Sequence, residues 1–246
     1  MRYLVISDIH ANVVAFDAVL ADAEGQYDKV WCLGDVVGYG PHPNECVERL
    51  RNLDHLCIAG NHDWAVINKL DYEEFQPHAR FVVSWTHKRL TKENYDYLYD
   101  LPLCRFMEND FTLVHGSPRH PIWEYITSAK MAQMSFNHFE TLYCLVGHTH
   151  SPVFFIEADR PGDLCTDVSA EGDTFTHVLN GKRVIINPGS VGQPRDGDSR
   201  ASYGILDTET MEFHINRVAY DINAVQETMK EHEFPLRLWT RLEFGY

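Results

Sequence analysis

No stretch of this chain approaches the roughly 20 consecutive apolar residues that a membrane span needs. The start, Met1-Arg2-Tyr3-Leu4-Val5-Ile6, lacks the longer apolar region and small-residue cleavage site of a secretory leader, and it runs directly into Asp8, so it reads as a first strand. The six cysteines include no CxxC pair and no regular spacing; Cys32, Cys57 and Cys144 lie inside apolar strand-like runs, as buried free thiols do. Together these features predict a cytoplasmic protein without a disulfide framework. Basic residues are in the minority: 21 Lys and Arg stand against 36 Asp and Glu, for a formal net charge of −15. That balance disfavours anionic membranes and non-specific contact with nucleic acid. Aromatic residues without a basic stripe do not make a base-stacking surface, so no stable nucleic-acid binding is expected. A P-loop lysine is missing, as are internal repeats and low-complexity linkers.

What the chain does have is a series of apolar runs that end in polar residues. Residues 2–7, 29–33 and 56–59 read as strands, separated by helices over about 12–24, with Asn12 as N-cap, and 43–53, with Pro43 near its start. The βαβαβ order implies parallel strands with helical crossovers. Residues 73–90 read as a helix with Phe81, Val82 and Trp85 on one stripe, and Thr91 opens another. Segments 103–107 and 111–115 read as a hairpin turning at Glu108-Asn109-Asp110, and 128–139 as a helix. Short strands follow at 142–146, 153–156, 174–179, 183–186, 203–207 and 211–218, mostly antiparallel by their loop lengths. A helix over 221–232 precedes a proline-containing tail. The expected architecture is α/β (α+β): two mixed sheets flanked by helices in one domain over residues 1–246, with a helical insertion at about 64–100. The insertion suits ordinary helix packing or a cap beside the site. Trp239, Phe244 and Tyr246 in the tail suit either a core cover or a contact with a second copy, and no signal specifies an oligomeric state.

Five strand ends carry the chemistry: Asp8-Ile9-His10, Gly34-Asp35, Gly60-Asn61-His62-Asp63, His115-Gly116 and Gly147-His148-Thr149-His150. In an open α/β sheet, ligands bind beyond the carboxyl ends of the strands. Read as extended strand ends, Asp8 and His10 point the same way, as do His148 and His150. Adding Asp35, Asn61 and His115 makes seven candidate ligands, more than one tetrahedral zinc uses. The set fits two divalent ions sharing a carboxylate. Mixed nitrogen and oxygen donors suit manganese, the working expectation, and equally iron, zinc, nickel or cobalt. Two dications roughly 3.5–4 Å apart repel by about 17–19 kcal/mol at an effective dielectric of 20, so a shared carboxylate and hydroxide are needed to offset this. The Gly60 before Asn61 is expected to permit a tight exit turn. Asp63 is expected to orient His62 or to hold it as imidazolium.

These ordered motifs, Asp8-x-His10, Gly34-Asp35-x-x-Gly38, Gly60-Asn61-His62-Asp63, His115-Gly116 and Gly147-His148-x-His150, resemble those of the calcineurin-like metallophosphoesterases. The resemblance runs from Met1 to about Ile205. The later stretch Asn187-Pro188-Gly189-Ser190-Val191-Gly192-Gln193-Pro194-Arg195 resembles the small single-domain bacterial and archaeal phosphodiesterase branch. The resemblance implies a four-layer α/β/β/α sandwich. It implies one metal held by Asp8, His10 and His150, another by Asn61, His115 and His148, and Asp35 as the bridge. His62 would be the general acid and a metal-bridging hydroxide the nucleophile. The implied activity is hydrolysis of a phosphoester small molecule or nucleotide, with diesters favoured. Phosphomonoesters, phosphoproteins or dinucleoside polyphosphates are the alternative substrates, and a catalytically silent scaffold is the alternative of another class.

A lone histidine at a strand end is ordinarily structural, and this chain has 14. Convergence of ligand types, not any one residue, carries the metal reading. Asn12 is read as a helix cap or a substrate contact. Arg195 is read as a substrate-phosphate contact or as a local partner of Asp196 and Asp198.

Overall fold

A computed structural model describes residues 1–107, 110–160, 163–170 and 172–246. Its first strand, β1 (Arg2–Ile6), buries side chains on both faces, as a strand covered on both sides must. Leu4 and Ile6 face one apolar layer, Tyr3 and Val5 another. The same alternation repeats through β2 (Lys29–Cys32), where Val30 and Cys32 oppose Trp31, and β3 (His55–Cys57) completes the parallel trio. The chain then forms β4 (Cys104–Met107), β5 (Phe111–Val114), β6 (Tyr143–Leu145), β7 (Val153–Ile156), β8 (Thr166–Ser169), β9 (Thr174–Val178), β10 (Val184–Asn187), β11 (Ala201–Asp207) and β12 (Glu212–Val218). They build two six-stranded mixed sheets, ordered β3-β2-β1-β11-β12-β9 and β4-β5-β6-β10-β7-β8.

Between the sheets lie Tyr3, Val5 and Trp31 from one and Phe111, Leu145, Phe154 and Ile186 from the other. Each such large side chain, fully buried, contributes about 1.5–3 kcal/mol. On the outer face of the first sheet, Leu4, Ile6, Val30 and Cys32 pack under α1 (Val13–Asp22), α2 (Pro43–Arg51), α4 (Pro77–His87) and α5 (Lys92–Asp100). On the outer face of the second, Val114, Cys144, Phe155 and Ile185 pack under α6 (Ala129–Ser135) and the 3-10 turn after it. The arrangement is the expected α/β/β/α stack.

Several local expectations change. Residues 61–66 form a helix, α3 (Asn61–Val66), that starts on the motif itself. The helix expected over 73–90 begins only at Pro77, after a 3-10 turn at Tyr72–Glu74; proline fits a first helical turn because its missing N–H has no intrahelical partner there. Strand β8 carries no apolar alternation and was not expected. The strands after residue 152 pair antiparallel with one another as expected, and β10 also pairs parallel with the earlier β6. The tail holds α7 (Ile222–Glu231) and a short α8 (Leu236–Thr240), whose Val225, Met229 and Leu238 pack on Val82 and Trp85 of α4. Of the expected hairpin turn, Glu108 and Asn109 lie outside the described residues.

Candidate metal centre

Strands β1, β2 and β3 of one sheet and β5 and β6 of the other all end on the same side, and their following loops meet there. The backbone that delivers the ligands is not extended. Asp8, His10, Asp35, His148 and His150 all have positive φ, between 48° and 66°. The expectation of alternating strand ends is therefore corrected: each Asp/His or His/His pair converges because its residues turn left-handed. Non-glycine residues enter that region at a cost of about 1–2 kcal/mol each, with Asp and His among the more tolerant. Such strain persists where surrounding structure over-determines it. Here it is held by cross-loop bonds from Asp8 N to Gly34 O (3.0 Å), His10 N to Asp35 O (2.9 Å) and Ala11 N to Val36 O (2.9 Å).

Gly60 is also read differently. Its backbone is extended (φ −99°, ψ 176°), so no unusual turn requires glycine. Space requires it: a Cβ there would stand 2.0 Å from Asp35 Oδ1.

All seven expected ligands come together, and all are buried. Asp8, His10 and His150 form one cluster, and Asp35, His115 and His148 a second. In the first, Asp8 Oδ1 lies 3.2 Å from His150 Nε2 and 3.8 Å from His10 Nε2. In the second, His115 Nε2 lies 3.4 Å from Asp35 Oδ2 and 3.2 Å from Asn61 Oδ1. Asp35 Oδ2 is also 3.7 Å from His10 Nε2, so this carboxylate stands between the clusters.

The two aspartates are built alike. Asp8 Oδ2 accepts from His148 N (3.1 Å) and Asp35 Oδ1 accepts from His62 N (2.8 Å). Each carboxylate thus anchors another loop with one oxygen. The other oxygens, Asp8 Oδ1 and Asp35 Oδ2, are buried without a hydrogen-bond partner. An unpaired buried carboxylate oxygen is costly unless a cation meets it. The imidazoles agree. His10 Nδ1 donates to Val37 O, His115 Nδ1 to Leu33 O and His150 Nδ1 to Gln193 O, which turns each Nε2 to the centre. Neutral His10 and His150 then present two Nε2 lone pairs 3.1 Å apart. His148 is turned the other way: its Nε2 donates to Trp123 O, leaving Nδ1. Two carboxylate oxygens and converging lone pairs fit a pair of divalent cations.

The charge states follow the same logic. Burial alone would raise both aspartates, but the imidazoles around them hold Asp8 and Asp35 well below the usual carboxylate range. Burial lowers His10 and His150, and lowers His148 to about 3, so these rings are neutral. His115 differs. Burial opposes its charge, but Asp35 and then Asp8 outweigh it and hold His115 up at about 10.

His62 sits beside the centre, its ring 5.0 Å from that of His10 and 4.4 Å from that of Tyr39. Its Nδ1 is buried without a partner, against Gly38, where a Cβ would come within 2.5 Å of it. Burial first, then Arg195, His150 and His115, lower its pKa to about 4. Asp63 does not touch this ring as expected. Its carboxylate accepts three backbone N–H groups, from Asp35 (2.8 Å), Gly60 (3.0 Å) and Val37 (3.2 Å). It ties the β2 and β3 loops together.

Asn12 is likewise committed: Oδ1 caps α1 through Ala15 N (3.1 Å) and Nδ2 donates to Gly192 O (3.0 Å). The helix-cap reading is the one these bonds match. Asp196 and Asp198 pair with Arg217 and Arg200, not with Arg195. Arg195 donates to Gln193 Oε1 (2.9 Å) and lies over the Tyr39 ring, 5.5 Å from its centroid. Tyr125, which follows His115 in the chain, is readable from sequence as an entrance-lining residue; Tyr39 is not. Tyr39 meets His10 and His62, and Tyr125 stacks on His148 at 3.7 Å. The only available signal for Tyr39 was its place next to Gly38. The 187–193 turn supports both halves: Asn187 Nδ2 donates to Gly147 O and Ser190 Oγ to Asp8 O.

The family model of the calcineurin-like phosphoesterase superfamily domain matches residues 1–211. An uncharacterized protein of Methanocaldococcus jannaschii is 39% identical over 246 residues, covering 98% of this chain and 97% of its own. The crystal structure of a metallophosphoesterase from Sphaerobacter thermophilus superposes with a TM-score of 0.90 at 46% identity, covering 100% of this chain and 99% of that one. A hypothetical protein from Pyrococcus horikoshii OT3 shares the fold, with a TM-score of 0.80 at 21% identity over 100% of this chain and 98% of its own.

Proposed function

Because this chain belongs to the calcineurin-like phosphoesterase superfamily, we propose that it is a hydrolase of phosphoesters, diesters before monoesters, working at two divalent cations. One observation carries the reading: one oxygen each of Asp8 and Asp35 is buried without a hydrogen-bond partner, and each stands in one of two adjoining clusters completed by two histidines. Asp8, His10 and His150 would hold one cation, Asn61, His115 and His148 the other, with Asp35 shared. Bound there, divalent cations supply Lewis acidity towards the phosphoryl oxygens and acidify a water for attack.

The protein's own groups do the rest. Asp63, through its three backbone bonds, fixes the loop that presents Asp35 and the turn that presents Asn61 and His62. His62 serves as the acid for the leaving oxygen. Its ring is neutral at neutral pH until an anionic ester arrives to stabilise its proton, which couples protonation to substrate binding. Gly38 closes off Nδ1, so Nε2 is the atom that meets the leaving group.

The test is a pair of initial rates, on bis-p-nitrophenyl phosphate and p-nitrophenyl phosphate, in manganese-loaded protein. Faster diester turnover is expected. Faster monoester turnover would overturn the diester preference, and turnover of neither with two metals bound would overturn the hydrolase reading. H62Q should lower kcat by about 10²–10⁴ while metal content stays at two.

A further inference from the structure

Beside the metal centre lies a second, open cavity of about 390 Å³. It is lined by Tyr39, His78, Tyr125 and three arginines, Arg195, Arg237 and Arg241. In a chain of net charge −15 this is an unusual concentration, because no residue lining the cavity is acidic. Among the described residues, no carboxylate side chain stands within ion-pair distance of any of the three guanidiniums; Arg241 Nε donates to the main-chain oxygen of Tyr246 and Arg195 to Gln193. Arg195 Nε is buried with no partner. The first turn of α4, at Pro77 to Ala79, borders the same space and adds the partial positive charge of a helix N-terminus.

Three residues of the cavity wall touch the reaction site. Tyr39 packs edge-on against His10 at 4.7 Å and tilted against His62 at 4.4 Å, and Tyr125 stacks on His148. Arg195 N donates to His150 O at 3.2 Å. Arg237 and Arg241 come from the tail, beyond residue 211, where the family match ends.

We infer that this cavity holds a second anionic group, a phosphate, on the same substrate whose phosphoester is cut at the metal centre. The inference rests on the hydrolase reading and narrows it to substrates with two phosphate groups spaced across Tyr39. Three guanidiniums without a side-chain carboxylate beside them recognise phosphate through paired N–H donors, and Tyr39 and Tyr125 border whatever joins the two phosphates. Like charges gathered without counter-charges repel one another, and a bound anion relieves that repulsion. Consistent with this crowding, burial first, then Arg195 and Arg237, lower the pKa of Arg241 to about 10.

The test is calorimetric titration of the metal-loaded protein with α,ω-alkane bisphosphonates, from propane to hexane, against the alkyl monophosphonates of equal length. At least one bisphosphonate should bind about tenfold tighter or more than its monophosphonate. R237Q/R241Q should remove that gain, R237K/R241K should keep most of it, and the monophosphonates should bind all three proteins alike. No gain for any spacing in the wild type, or a gain that survives in R237Q/R241Q, would overturn the inference. Turnover of bis-p-nitrophenyl phosphate in the same preparations reads the hydrolase proposal separately. A gain without turnover leaves the cavity assigned and removes the reaction, whereas turnover without a gain does the reverse.

Discussion

His115 is the candidate ligand whose ring carries charge in the metal-free protein. Both its nitrogens face oxygens, Nδ1 against Leu33 O at 2.8 Å and Nε2 against Asn61 and Asp35, which is the environment of an imidazolium. A folded pKa raised to about 10 means that its proton stabilises the metal-free fold fully below the ordinary value near 6.5, and that this contribution is lost as pH rises through 10. Metal at the centre must displace that proton. Metal affinity should therefore rise about tenfold per pH unit between pH 6.5 and 8.5 on account of this one group. Competition against a chelator at several pH values measures the slope. H115N should lower it by one proton; an unchanged slope would mean that His115 is neutral in the metal-free protein.

Elements matter here mainly through their ends. The β2 loop and the start of α3 are separate in sequence, and Asp63 joins them through both of its oxygens: Oδ2 takes Asp35 N and Gly60 N, and Oδ1 takes Val37 N. An asparagine has only one acceptor oxygen, so D63N must leave at least one buried N–H facing another donor. The expected loss is about 1–3 kcal/mol of stability, read as a lower midpoint in urea unfolding, with weaker metal retention because Asp35 and Asn61 move. D63N with wild-type stability and two tightly held metals would show that the clamp is dispensable. The same elements show where local patterns mislead. Pro77 lies inside a longer helix-like apolar pattern and yet marks a helix start, and the β8 edge strand has no apolar alternation.

For the whole molecule, the centre is a seam. Asp8, His10, Asp35 and Asn61 follow strands of one sheet; His115, His148 and His150 follow strands of the other. Cations bound between them tie the sheets together in the folded state only, so they stabilise by linkage, about 2.7 kcal/mol at a free metal concentration 100 times Kd. Chelation should lower Tm, and the drop should shrink in D35N, which weakens the shared ligand. An equal Tm with and without chelator would argue against a centre made from both sheets. The described helices include none long and apolar enough to cross a membrane.

The ligand types that meet at the candidate site and the layer order were legible in the sequence. Ligand types at the ends of apolar runs are local facts, and two-sided apolar strands alternating with helices demand covered sheets. Tertiary structure decided the rest because those properties depend on residues far apart in the chain. Left-handed backbone at five ligand positions is sustained by cross-loop bonds, such as Asp8 N to Gly34 O, that no single segment encodes. Gly60 is required by a carboxylate 25 residues upstream, not by its own torsion angles. Asp63 holds the backbone of Asp35, Val37 and Gly60 and not its neighbour's ring. The arginine-lined cavity draws Arg195 from a loop and Arg237 and Arg241 from the tail, brought together only when α8 packs against the core under α4.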